Sequence, residues 1–369
     1  MKSAIALGLA DKRLVVCLGP GGVGKTTLSA ALAVSLAASG RSVAVLTVDP
    51  APRLLDALGL GADDGAPQEV PLDGVRRAAR DAHRGRLSAM RLDPKRTFDS
   101  VVRNYAPSKA VADSILAGRI YQNLSNALAG VGDYMAMEKL VALEADRAND
   151  TIVLDTPPAQ QALDFLDAPR RLLELLDSRA ITLLGASAGI LRSGLGVFDT
   201  AARAVLSVFD RATGINLLPD IQAFVRSFET MYPGFAERAR HAQELLRSPD
   251  TAVILVATPE HVRVEQAREF ADALARAGLK IAAIVVNRVM PPLPESSELR
   301  TARIAVELKR KLARNLRDYR ALKRRETRSL KRLRDAAGGN VPLLIAPDLG
   351  REPRMLNDLV ELADRIGPA

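Results

Sequence analysis

The stretch Gly19-Pro20-Gly21-Gly22-Val23-Gly24-Lys25-Thr26-Thr27 constrains this chain more than any other feature. It follows the apolar run Leu14–Leu18 and precedes the helix-favouring run Leu28–Ala38. A G-x-x-x-x-G-K-[ST] pattern between a strand and a helix is the context in which such a loop wraps phosphate oxygens. Its glycines let backbone N–H groups turn inward, and the helix N-terminus adds its positive end. In that geometry Lys25 reaches the β- and γ-phosphates of ATP and Thr26 ligates Mg²⁺, while Gly21, Gly22, Val23, Gly24 and Thr27 complete the cradle.

A loop of this kind is carried by a parallel sheet, and apolar runs suited to one recur at Val43–Val48, Ile152–Leu154, Ala252–Ala257, Ile281–Val286 and Leu343–Ala346. Leu87–Leu92 is a weaker candidate. Several are rich in Val and Ile without polar alternation, as strands buried on both faces require. Helical stretches alternate with them, so the expected fold class is α/β: a doubly wound, mostly parallel P-loop sheet in a single domain over 1–369. Two stretches break the rhythm. Segments 94–141 and 169–249 lack strand patterns and space their apolar residues as helices do, for example Val197, Ala201, Val205 and Phe209, then Phe224, Phe228 and Met231. They are read as an inserted helical subdomain.

The same glycines also spell G-x-G-x-x-G, with Asp49 following at the end of the second strand, which is a dinucleotide fingerprint. Lys25-Thr26 is superfluous in that fold, Asp49 sits in a proline-flanked turn, and a second acidic strand end follows at Asp155. The P-loop reading is therefore preferred. Ile152-Val153-Leu154-Asp155 has the form of a strand whose terminal carboxylate holds Mg²⁺ directly or through water. A helix cap is the ordinary alternative for such a residue.

Composition narrows the setting. At 369 residues and 48% apolar content the chain can build a full core without staples. A single cysteine, Cys17, excludes an internal disulfide or a multi-thiolate metal site, and its mid-strand place suits a small buried hydrophobe. The apolar stretch Ala4–Ala10 is too short to span a bilayer, so a cytoplasmic protein is expected. The net charge of +9 is concentrated in 300–334, which holds 15 Lys/Arg against 3 Asp/Glu.

With these residues placed, the chain resembles the ArsA-type ATPases. That family includes arsenite-pump ATPases and the ATPase that delivers tail-anchored membrane proteins, within the wider MinD/ParA class. The resemblance rests on Gly21–Thr27, Thr47-Val48-Asp49-Pro50-Ala51, Tyr134-Met135-Ala136-Met137-Glu138-Lys139, Asp155-Thr156-Pro157-Pro158 and Val286-Asn287-Arg288. It implies ATP hydrolysis with Mg²⁺, a dimer, and a hydrophobic client or membrane-surface partner. Asp49 resembles the switch residue that positions the attacking water, which agrees with a strand-end carboxylate facing the γ-phosphate. Lys25 shares the catalytic role. Asp155 to Pro158 resembles the second switch. Asn287 resembles an adenine-reading asparagine, Pro347 lies where the family's last loop closes over the base, and Glu260 resembles a nucleotide-contacting glutamate. Loop or capping chemistry is the alternative for these three.

Two departures stand beside the matches. The family usually carries Lys after the first glycine, reaching the partner subunit's phosphates, and here that position is Pro20. The second switch usually continues Thr-Gly-His, and here it reads Ala159-Gln160-Gln161. Missing thiols argue against arsenite transport. Segment 296–337 reads as one or two basic helices with Ile304, Leu308, Leu312, Leu316 and Tyr319 on one stripe. A hairpin on the sheet edge is the plain reading, and anionic lipid or an acidic partner the functional one. Nucleic acid is not expected, because no aromatic platform accompanies the charge. Two functions follow: an ATPase driving a hydrophobic client or membrane partner, as a homodimer or heterodimer, or a weakly active regulatory subunit completed by a related ATPase chain.

Overall fold

In the computed structural model the described residues are 8–61, 65–73, 75, 85–118, 121, 131–157, 159–176, 230–292, 304–336, 341–353 and 355–368. Along the chain they form β1 (Leu14–Leu18), α1 (Lys25–Ala38), β2 (Val43–Thr47), α2 (Arg53–Ala57), β3 (Gln68–Glu69) and β4 (Leu87–Arg91). Then come α3 (Pro94–Tyr105), α4 (Lys109–Ala117), α5 (Val131–Ala145), β5 (Thr151–Asp155), α6 (Ala159–Leu176) and α7 (Tyr232–Arg247). The last part holds β6 (Thr251–Ala257), α8 (His261–Arg276), β7 (Ile281–Val289), α9 (Val306–Ala336), β8 (Leu343–Pro347), α10 (Leu356–Asp364) and β9 (Gly367–Pro368).

The described strands make one nine-stranded sheet in the order β3-β4-β2-β5-β1-β6-β7-β8-β9. The strands from β4 to β8 run parallel, and the two-residue β3 and β9 close the edges antiparallel. β1 lies inside with β5 on one side and β6 on the other, so all its side chains are buried. That explains a run with no polar alternation. The register sets Asp155 opposite both Cys17 and Thr47. The carboxyl ends of the parallel strands thus share one edge, where open α/β sheets bind ligands.

α1 is covered on nearly every side. It packs on the sheet and against α10, so its Ala, Leu and Ser residues form no amphipathic stripe. Leu28, Leu32 and Leu36 are buried, each contributing roughly 1.5–3 kcal/mol relative to exposure. The P-loop therefore ends in a helix clamped by the core.

The chain divides into two compact units and crosses between them before α3, after α5, within α6 and near the end of α7. One comprises Met1–Leu92, Asp146–Leu163 and Leu246–Ala369 and holds the whole sheet. The other comprises Asp93–Ala145 and Asp164–Leu245, and its described elements are all helical. In this second unit, Asp93 caps α3 by accepting the Arg96 N–H at 2.9 Å, and Ser108 caps α4 through Val111. Phe98, Val102, Tyr121, Tyr134, Met231 and Phe235 form its core. A buried ion pair sits beside that core: Arg238 Nε lies 2.7 Å from Glu138 Oε2, with side-chain exposures of 11% and 2%. The Arg238 guanidinium also stacks 3.7 Å from the Tyr105 ring centre.

Residues 177–229 lie outside the described residues, and with them the helical pattern from Val197 to Phe228. The basic segment is a single helix over Val306–Ala336 rather than a hairpin, and residues 296–303 lie outside the described residues.

Candidate active site

The loop after β1 is walled on two sides. A Cβ on Gly19 would meet the Val256 carbonyl oxygen of β6 at 2.1 Å, and one on Gly24 would meet Asn287 Nδ2 at 2.3 Å. Gly24 also has φ +90°, the left-handed region that glycine alone adopts without penalty. No side chain caps α1, which leaves its first N–H groups for an anion at the N-terminus. Lys25 is buried and donates from Nζ to the Pro20 carbonyl at 3.1 Å, so its ammonium arches back over the loop.

Asp155 ends β5 with no solvent exposure. Three hydroxyls donate to it: Thr26 at 2.8 Å and Thr47 at 2.9 Å to Oδ2, and Ser29 at 3.3 Å to Oδ1. Burial pushes its pKa up to about 6, while the Thr26 and Thr47 hydrogen bonds and the Lys25 charge pull it back. An all-oxygen donor set, with a carboxylate still short of positive charge, fits a hard cation such as Mg²⁺. Thr26 and Asp155 are the residues that would hold it. Among the described residues no cluster of three or more His, Cys, Asp or Glu could hold a metal alone, so such an ion would draw further ligands from water and phosphate.

Thr47 has a second task. While its hydroxyl donates to Asp155, it accepts the backbone N–H of Asp49 at 3.2 Å. Asp49 in turn accepts the Ala51 N–H at 3.0 Å, and its other oxygen lies 3.6 Å from the exposed Arg53 guanidinium, a pair too screened to hold much. Thr156 donates to the Cys17 carbonyl at 2.8 Å and pins the chain leaving β5. Cys17 is fully buried, and desolvation pushes its thiol up to about 12.

A cavity of about 540 Å³ opens above the loop. Gly21, Gly22, Gly24, Lys25, Thr26 and Thr27 form its floor, with Asp49, Arg53, Asp56 and Thr156 to one side and Arg288, Glu352 and Pro353 also lining it. Its size and mixed lining suit a small polar ligand. Val23, Asn287, Glu260 and Pro347 do not line it. Asn287 instead braces the loop from below, donating to the Val23 carbonyl at 2.9 Å and accepting the Arg288 N–H at 2.9 Å. Glu260 is exposed at the start of α8, and Pro347 ends β8. Of the second switch, Pro158 and the side chains of Gln160 and Gln161 lie outside the described residues.

Sequence reasoning passed over Ser29, Thr47, Arg288 and Glu352 as site residues. Ser29 stands one helical turn after Thr26, a spacing that puts both hydroxyls on one face. Thr47 stands two residues before Asp49, on the same side of an extended chain. Arg288 reaches the cavity through an irregularity in β7, where the register with β8 shifts between Val286 and Val289 and Arg288 takes φ +57°. Glu352 carries no local signal.

Compared with known proteins, residues 12–320 match the family model of the ArsA-type anion-transporting ATPases. The ATPase get3 of Neurospora crassa is 28% identical over 294 residues, covering 79% of this chain and 77% of that protein. The uncharacterized protein SCO2128 of Streptomyces coelicolor is 28% identical over 76% of this chain and 63% of its own length. The ATPase ASNA1 homolog of Babesia bovis is 26% identical over 74% of this chain and 65% of its own length. A match of this extent, centred on a P-loop with its strand-end carboxylate in place, means that the chain belongs to the ArsA family of nucleotide-binding P-loop ATPases.

Proposed function

We propose that this ATPase uses Mg-ATP and that its nucleotide state governs the helical unit on behalf of a hydrophobic client or membrane-associated partner. The observation that carries the reading is the shared Thr47 hydroxyl, which ties the carboxylate at the metal position to the Asp49 turn. Lys25 and the N-terminus of α1 stabilise charge on the terminal phosphates. Thr26 and Asp155 would hold Mg²⁺, which would supply positive charge to the terminal phosphates. Asp49 holds the attacking water, its turn fixed by Thr47 and Ala51. A change at the γ-phosphate that shifts Asp155 reaches the Asp49 turn through one hydroxyl. Asn287, Glu260 and Pro347 are assigned to the base side of the nucleotide. Action as a homodimer or heterodimer in the cytoplasm, with peripheral contact at a membrane, completes the proposal. Among the described residues no helix is long and apolar enough to cross one.

The test is Asp49→Asn. Nucleotide affinity by titration calorimetry should be retained, while turnover falls by about 10²–10⁴, the usual loss for a positioned base. Parental turnover in the variant would reduce Asp49 to a cap. Pro20 favours a second reading, a weakly active subunit completed by a related chain. It supplies no charge, and its carbonyl holds Lys25. A cationic group brought across a subunit interface can be worth about 10³–10⁵ in rate. If Pro20→Lys raises turnover together with ATP-dependent dimerisation, the second reading stands. Brisk turnover by the unmodified homodimer removes it.

A further inference from the structure

α9 is two helices in physical terms, though continuous in backbone. From Lys323 onward it is anchored to the sheet unit. Glu326 accepts the Met290 N–H at 2.7 Å and pairs with Lys323 Nζ at 2.5 Å, and Glu326, Ser329 and Leu333 are buried. Before Lys323 most of the stripe opens to solvent: Leu308 is 46% exposed, Leu312 38%, Tyr319 52% and Leu322 48%, while Leu316 is half-buried. Leu308, Leu312, Leu316 and Tyr319 follow one another at steps of four and three. That places them on the same face as Glu326 and Leu333 further along. One stripe is thus covered in its second half and open in its first, over about 25 Å of helix.

The charge around the open half says what it suits. Between Val306 and Leu322 the chain carries Lys309, Arg310, Lys311, Arg314, Arg317 and Arg320 against only Glu307 and Asp318. At 3.6 residues per turn, Lys309 and Arg320 flank the stripe on one side and Lys311 on the other, with the remaining arginines behind. A second copy of this helix would bring like charge against like charge, which disfavours self-pairing. A stacking platform for nucleic acid is absent, since Tyr319 is the one aromatic residue of α9. A helix fixed at one end, apolar on one face and basic on its flanks matches a plane that is negative outside and oily beneath. Tyr319, amphipathic itself, suits the headgroup level of such a plane.

We infer that residues 306–322 of α9 dock on an anionic lipid surface, with Leu308, Leu312 and Tyr319 inserted at headgroup depth and Lys309, Lys311 and Arg320 against headgroup phosphates. This deepens the proposed membrane-side role. Because its test measures no hydrolysis, it can fail while the ATPase reading stands. The experiment is flotation of the full chain with vesicles of phosphatidylcholine alone and of phosphatidylcholine mixed equally with phosphatidylglycerol. Binding should be confined to the anionic vesicles and should weaken as salt rises. Lys309→Ser, Lys311→Ser and Arg320→Ser combined should lower partitioning on the order of 100-fold, about fivefold for each charge. Leu308→Ser with Leu312→Ser should also release the protein. Leu308, Lys311 and Leu312 are exposed, whereas Lys309 and Arg320 are half-buried, so melting temperature and nucleotide affinity are measured on both variants and should hold. Equal binding to neutral vesicles, no binding to either kind, or a triple variant that floats like the parent would overturn the inference. So would capture by an acidic polypeptide or duplex DNA that anionic vesicles fail to displace.

Discussion

Asp155 has no exposure to water, so its charge depends on what the fold and its ligands bring to it. Three hydroxyls and the Lys25 charge do not fully offset burial, and its pKa stands at about 6 against an ordinary 3.8. Between those values the native chain holds a proton that the unfolded chain has lost. The stability linked to this group is therefore complete below the lower pKa and lost as pH rises through the upper one. The displacement corresponds to about 3 kcal/mol. In protein free of nucleotide and metal, Asp155→Asn should raise the melting temperature relative to the parent at pH 7 and change it little near pH 4. It should also remove the Mg²⁺ dependence of nucleotide affinity. The measurement is the difference between the two melting curves across that range. A difference that does not vary with pH would show that another group holds the proton. At this scale the sequence was partly readable. Lys25, Thr26 and Asp155 announce themselves through a motif, but Ser29 and Thr47 are single hydroxyls whose partner lies more than a hundred residues away. Nothing local marks such a meeting.

Among the elements, α5 and α7 carry the most testable contact of the helical unit. Glu138 on α5 receives the Tyr134 hydroxyl and the Arg238 guanidinium, which reaches it from α7 between two aromatic rings. Among the described residues the buried Arg238 Nη2 has no hydrogen-bond partner, so the pair is shielded from water without every donor being satisfied there. Removing one member leaves a buried charge alone, which costs about 3–5 kcal/mol, whereas replacing both by apolar groups is often nearly neutral. Arg238→Met should therefore destabilise the chain by about that amount in urea melts, and Glu138→Leu combined with Arg238→Met should recover most of it. A single variant losing less than about 1 kcal/mol would mean the two helices are held by Phe235 and its neighbours instead. Strands of the inner sheet were legible because Val- and Ile-rich runs need two covered faces. β3 and β9 were not, since two residues have no period to read. The stripe of α9 was also legible, but its covering was not. Whether a face is buried depends on what the fold lays beside it, and here the backbone after β7 meets the second half at Glu326.

For the whole molecule the question is whether the helical unit responds to the nucleotide. In sequence α6 begins at Ala159, four residues after Asp155, and that helix carries the chain from the sheet unit into the helical one. Amide hydrogen exchange in α3, α5, α6 and α7 should differ between protein loaded with ADP and protein loaded with a non-hydrolysable ATP analogue. The expected change is a lower local opening free energy in one of the two states. Identical protection in samples shown to be fully loaded would count against coupling, while leaving hydrolysis at the sheet untouched. The interior place of β1 has another consequence, which concerns time. β1 is made first among the strands, yet it pairs with nothing until Thr151–Asp155 exists on one side and Thr251–Ala257 on the other. At about 5–20 residues per second of synthesis, its second edge stays open for roughly 10–50 seconds after the strand is made. Until β5 is made the ribosome carries a Val-rich strand with neither of its neighbours, and for the rest of the interval one edge of that strand stays bare. The nucleotide loop after it cannot take its shape before Val256 and Asn287 arrive to wall it. A chain released before β6 would keep its phosphate motif intact in sequence and have no means of folding it.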